Sequence, residues 1–136
     1  MKIQDKHNST LTMKSLYIKN FSFTREKIID NSELEMSLIP NIKIINEDEA
    51  EFEISLMLYN NQKQFDLSIS IFAAMQKKKG ELDWGILKSN VFAIIFPFLR
   101  SQVSILTSQP DFKPILMPVV NINKIFEDID SENIIE

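Results

Sequence analysis

Residues 87–106 are apolar around most of a helical circumference, and this constrains the fold more than any other feature of the chain. One stripe runs through Leu87, Val91, Ile94 or Ile95, Phe98, Gln102 and Ile105 or Leu106; a second runs through Phe92, Phe96, Leu99, Val103 and Leu106. Both keep the three-and-four spacing of an α-helix. A single sheet covers only one side of such a helix, so the excess requires a second packing partner, most simply the same helix of another subunit. Pro97 interrupts the segment: its missing N–H cannot bond the Ala93 carbonyl, and its ring crowds that oxygen. The segment is expected to kink at Pro97, or to begin its helix near it.

Upstream, the period changes to two. Phe52, Ile54, Leu56 and Leu58 alternate with Glu51, Glu53 and Ser55, a pattern that fills one face of a strand and would scatter around a helix. Residues 64–75 alternate again through Phe65, Leu67, Ile69, Ile71 and Ala73, and Asn60-Asn61 supplies a hairpin turn that tolerates positive φ. Leu34, Met36, Leu38, Ile42 and Ile44 hold even parity across Pro40, which belongs at an edge, a bulge or a break between two short strands. Residues 46–49 form the next turn. In residues 11–23, Leu16 and Ile18 are even but Phe21 and Phe23 are odd, so a bulge is expected near Lys19-Asn20.

Residues 76–81 read as a charged connector into the helix. Beyond it, residues 111–118 carry too many prolines for a helix and too many large side chains for a solvated loop, and are expected to cross against the sheet. A short last helix is expected from an Asn121 or Asn123 cap, with Ile122, Ile125, Phe126 and Ile129 on one stripe. The expected fold class is α+β: a four-stranded antiparallel sheet with a long, kinked helix and a short C-terminal helix. At 136 residues this is one domain over 1–136, with flexible ends at about 1–10 and 130–136.

Fifteen Lys and Arg against nineteen Asp and Glu leave a formal charge of -4, which disfavours a general polyanion binder and makes nucleic acid an unexpected partner. The absence of cysteine excludes disulfides, thiolate catalysis and zinc-thiolate sites, and suits a reducing compartment. The first residues lack the apolar run of a secretory signal. The most apolar run, 91–99, is shorter than the roughly 20 residues of a spanning helix, so membrane insertion is not expected and the cytoplasm is.

Reactive constellations are missing. His7, the sole histidine, has no nucleophile or orienting partner in the pattern. Asp48, Glu49, Glu51 and Glu53 fall in a turn and on the wet side of a strand, without a calcium-loop pattern. Gly80 and Gly85 make neither a P-loop nor a dinucleotide fingerprint. Lys77, Lys78 and Lys79 lack interleaved aromatics and read as solvated linker. Trp84 reads as a hydrophobic anchor or a ligand contact, and Arg100 as a contact for an acidic partner or the residue that orients the helix. No enzyme, metal or cofactor is expected.

The ordered combination of three motifs resembles the SecB family of bacterial export chaperones. Residues 16–23, Leu-Tyr-Ile-Lys-Asn-Phe-Ser-Phe, resemble its first-strand signature. Residues 95–100, Ile-Phe-Pro-Phe-Leu-Arg, resemble its helix motif. Phe112, then Leu116-Met-Pro118, Val120-Asn121 and Phe126, resemble its crossing loop and last helix. The resemblance covers about residues 11–129. It implies a holdase that keeps non-native polypeptides or preproteins unfolded without ATP, assembled as a homotetramer from two dimers. Phe92, Ile94, Phe98 and Gln102 would then join subunits, and Leu38, Ile122 and Phe126 would contact clients. Acidic first-strand positions that meet the translocation motor SecA in the family are matched by Asn20 and Thr24, so a SecA contact is in question. The resemblance therefore leaves three readings: export delivery first, a chaperone dedicated to an antitoxin of a toxin–antitoxin system second, and a structural oligomer without chaperone activity third.

Overall fold

The computed structural model describes residues 11–26, 34–60, 64–78, 83–110 and 114–117. The chain runs β1 (Leu11–Arg25), β2 (Glu35–Ile44), β3 (Glu49–Tyr59), β4 (Phe65–Lys77) and α1 (Trp84–Leu106). The strands form one antiparallel sheet in the order β1-β4-β3-β2. Alternation decides its faces: Phe52, Ile54 and Leu56 of β3 and Phe65, Leu67, Ile69 and Ile71 of β4 are buried beneath α1, while Glu51, Glu53, Ser68 and Ser70 take the other face.

The expected bulge in β1 is present as a register break between Ile18 and Asn20, and a second break lies between Met13 and Ser15. Lys14 and Lys19 are the extra residues. Each bulge flips parity once, which is how Met13, Leu16, Ile18, Phe21 and Phe23 all reach the helix side. β2 passes through Pro40 as one strand, in unbroken register with β3. Of the alternatives open at Pro40, the edge position is the one adopted.

Side-chain acceptors shape the turns. Asn46 Oδ1 accepts from Asp48 N at 2.9 Å and Glu49 N at 2.8 Å. Asn60 is buried, and its Oδ1 accepts from Gln64 N at 2.8 Å and Phe65 N at 3.1 Å. Asn60 therefore serves the β3–β4 connection through its carbonyl oxygen.

α1 is 23 residues long and continues through Pro97; a helix beginning near 97 is not what forms. Its N-cap is Asp83, whose side chain accepts from Ile86 N at 2.9 Å. Ala93 and Pro97 are both exposed, so the missing backbone bond lies on the side away from the core. α1 packs chiefly across β3 and β4, the two central strands. Phe52 meets Trp84 and Phe92 edge to face, with centroids at 5.7 and 5.3 Å.

The expectation of two helices is corrected: the fold is a four-stranded sheet with one long helix. Pro110 and Pro114 follow α1, proline supplies no N–H to extend a helix, and the described residues 114–117 are non-helical. The stretch assigned to the second helix, including Ile122 and Phe126, lies outside the described residues.

Candidate polypeptide-binding and assembly surfaces

α1 has two apolar sides. One closes the core through Leu87, Val91, Ile95, Leu99 and Val103. On the other, Ile86, Ile94, Phe98 and Ile105 stand exposed with Asn90, Ala93, Pro97 and Ser101 between them. The only charged side chains on the helix are Lys88 and Arg100, both half-buried, so this outer stripe is wholly uncharged. Ile94 and Phe98 stand on it, exposed, with Gln102 half-buried nearby. Phe92 does not: it is 1% exposed inside the subunit's own core. Its place in the expected interface is corrected, because a side chain already enclosed has no area to offer a second chain.

The chain after α1 is strapped back over the helix. Thr107, itself fully buried, donates from Oγ1 to Val103 O at 2.7 Å and accepts from Ile115 N at 2.9 Å. Arg100 donates from Nε and Nη2 to Met117 O at 3.2 and 3.0 Å. These anchors set an alternation in which Ile115 and Met117 point into the core and Leu116 is 79% exposed. Leu116, Pro97, Ser101, Ser104 and Ile105 border an open groove of about 360 Å³ beside the Arg100 clamp. Arg100 thus acts within the subunit, on the strap.

A second apolar strip lies on the helix side of β2. Leu38 and Ile42 are half-buried against the core, while Met36 and Ile44 are exposed. Leu38, the expected client contact, is thus at the margin of the core, where part of its side chain meets solvent. Its expected companions Ile122 and Phe126 lie outside the described residues.

The polar candidates resolve into ordinary surface chemistry. Glu49 lies 3.4 Å from Lys14 and Glu53 3.3 Å from Lys19, partly exposed pairs of small energetic worth. Among the described residues no group of three His, Cys, Asp or Glu is placed to hold a metal. His7 lies outside them. Lys77 corrects the linker reading: it is 5% exposed, with its ammonium 5.7 Å from the Trp84 ring centroid. The parity of β4 explains this, since 77 continues the inward series 71, 73, 75. Trp84 is the anchor, buried, with an Nε1 that has no hydrogen-bond partner. α1 is long and apolar enough to cross a membrane by length and composition, a possibility the nine-residue run concealed. Its buried positions, however, are what cover the central strands.

A four-stranded sheet with one covering helix, an uncharged outer helix stripe and a strap of alternating apolar residues leaves the subunit with surplus apolar surface. The sequence matches the family model described as "Preprotein translocase subunit SecB" over residues 4–133, and the chain belongs to the SecB family. That membership makes it a non-enzymatic, chaperone-family protein. Among solved structures, the fold is similar to the SecB-like chaperone Rv1957 of Mycobacterium tuberculosis, solved with a ChAD peptide from the HigA1 antitoxin: TM-score 0.67, 13% identity, covering 82% of this chain and 91% of that one. A protein of unknown function from Streptococcus agalactiae aligns at TM-score 0.48 and 7% identity, over 80% of this chain and 97% of that one, which is too remote to bear on function. No curated protein is matched by the sequence.

Proposed function

We propose that this protein is an ATP-independent holdase of the SecB type that serves a dedicated partner, an aggregation-prone antitoxin, in preference to the preproteins of general export. The observation that supports holding is apolar surface that remains after the subunit folds and that lies apart from the outer stripe of α1: Leu116 on the strap and the helix side of β2. Capture needs no reactive group. Each square ångström of client apolar surface removed from water contributes roughly 25 cal/mol, and several such contacts along one extended chain add avidity.

Two observations favour the antitoxin reading over export. The fold is shared with a SecB-like chaperone solved with an antitoxin peptide. Asn20 and Thr24 are neutral and exposed on β1, so that strand offers SecA no acidic contact at those positions. Ile94 and Phe98 would join subunits into a dimer or a tetramer of two dimers, Leu38 would contact clients, and the cytoplasm would be the setting, as the family membership supports.

The test is capture from the native host under mild conditions. One small antitoxin dominating the bound fraction supports the proposal. A broad set of preproteins together with SecA returns the assignment to export. Failure to suppress aggregation of either class at stoichiometric concentration leaves the structural-oligomer reading.

A further inference from the structure

The two ends of α1 are held in different ways. At the C-terminal end, Thr107 N and Oγ1 both donate to Val103 O, and Ile115 N donates to Thr107 Oγ1. The Ser108 and Gln109 side chains donate to Ser104 O and Leu106 O at 2.8 and 3.1 Å. At the N-terminal end, polar groups of three kinds are buried in one corner without such partners. The Trp84 indole Nε1 and Asp48 Oδ1 have no hydrogen-bond partner among the described residues. Lys77 is buried, and its ammonium meets the face of the Trp84 ring in place of a carboxylate.

The sheet register brings these groups together. Lys77 N donates to Asp48 O at 2.9 Å, so 48 and 77 form the row beyond Ala50–Met75 and Phe52–Ala73 on the buried face. Trp84 touches Phe52 at one end of that run and Lys77 at the other, so its ring spans the Ala50–Met75 pair. Burying an unpaired donor, acceptor or cation is unfavourable, and water reaches all three when the first turn of α1 leaves the sheet. Against opening stand the apolar contacts of the ring and the Asp83 cap on Ile86 N. The turn itself resists little: Gly85 is exposed on it, glycine is a poor helix residue, and no acidic side chain follows the cap to favour the helix dipole.

We propose that the first turn of α1 is a latch that opens while the rest of the helix stays seated, hydrating Lys77, Asp48 and the Trp84 indole and uncovering Ala50, Phe52 and Met75 as further apolar surface. Opening ends where α1 is next anchored by fully buried side chains, at Val91 and Ile95. An apolar segment of a bound polypeptide that covers the uncovered row holds the latch open, so opening and capture are coupled. The coupling rests on the reading of the chain as a polypeptide-binding chaperone; the latch itself does not.

The test is amide hydrogen exchange by NMR on the full-length protein, read at Leu87 N, which donates to Asp83 O in the closed turn, with Thr107 N as the reference for the strapped end. Trp84→Phe deletes the unpartnered N–H and Lys77→Met the unpaired cation, and each should slow exchange at Leu87 about tenfold. A corner with no latch gives the opposite sign, because a smaller ring and a lost cation–π contact loosen it. Asp83→Ala, at an exposed position, should speed exchange about fivefold. Thr107 exchange unchanged from wild type shows that a variant is folded. Faster or unchanged exchange at Leu87 in either folded core variant, or no change in Asp83→Ala, would overturn the latch. Capture is read separately, as the amount of protein that keeps chemically denatured citrate synthase from aggregating, and Lys77→Met should require about threefold more than wild type. Slowed exchange with unchanged protection would overturn the coupling and leave the chaperone reading in place. No protection by the wild-type protein would remove the chaperone reading and leave the latch to stand on exchange alone.

Discussion

Phe98→Asp tests whether the outer stripe of α1 joins subunits. Phe98 is 48% exposed, so of the roughly 200 Å² a phenylalanine can bury, about 100 Å² is still available to a partner. Covering it contributes about 2.5 kcal/mol per copy and, in a two-fold contact where both copies present it, about 5 kcal/mol. Loss of that area alone weakens association by several thousandfold, and the desolvation of two carboxylates adds to it. Folding of the single subunit should barely change, because an exposed site remote from the core shifts stability by about 0.5 kcal/mol or less. Sedimentation velocity across a concentration series reads the assembly, and urea denaturation monitored at the single tryptophan, Trp84, reads the fold. A variant that dissociates while its unfolding midpoint, measured under conditions where both proteins are monomeric, stays put supports the contact. An unchanged sedimentation coefficient in a folded variant refutes it and leaves the stripe to clients alone.

Phe92→Ala has the opposite profile: deleting a core ring enclosed by the subunit should cost about 3–5 kcal/mol of folding stability, seen as a lowered urea midpoint. Thr107→Val keeps the shape of the side chain but deprives Ile115 N of its acceptor, so a loss of about 1–3 kcal/mol is expected by thermal denaturation. Arg100→Lys replaces a fork that reaches Met117 O through two nitrogens by a point charge; limited proteolysis should then cut residues 108–117 faster while the core resists. Leu38→Asp should reduce the protection of a denatured client from aggregation without dissociating the assembly, and intact protection would remove Leu38 from the capture surface.

The sheet was legible because two-residue alternation assigns each side chain a face without knowledge of its neighbours, and β3 and β4 hold that alternation without fault. β1 was legible only where large residues marked the phase. Phe21 and Phe23 disclosed the bulge at Lys19, whereas the one at Lys14 lies among Met13, Ser15 and Leu16, where a single misplaced apolar residue looks like noise. Helix phase was harder to read. With Lys88 and Arg100 its only charges, α1 gives almost no polar mark of which side is wet, so the sequence alone does not separate Phe92 from Ile94, two positions apart, although only Ile94 is exposed. Lys77 shows the converse error. Its neighbours in sequence made it resemble solvated linker, but its parity on β4 placed it over Trp84.

The same parity argument separates assembly from capture. The even residues of β2 turn their side chains to the helix side of the sheet, where Leu38 and Ile42 border the core and Met36 and Ile44 are exposed. The outer stripe of α1, with Ile94 and Phe98, is the far side of the helix from the sheet. Burial of one surface therefore leaves the other open. A subunit whose only large apolar surface was the helix would have to choose between binding its own copies and binding a client. With two separated surfaces, the proposed assembly through α1 would place several Leu38 surfaces on one particle, and a single extended client would then engage more than one of them. Truncating the client until it spans only one subunit should therefore reduce affinity for the assembly far more than for the Phe98→Asp subunit, and equal loss in both would show that the subunits bind independently.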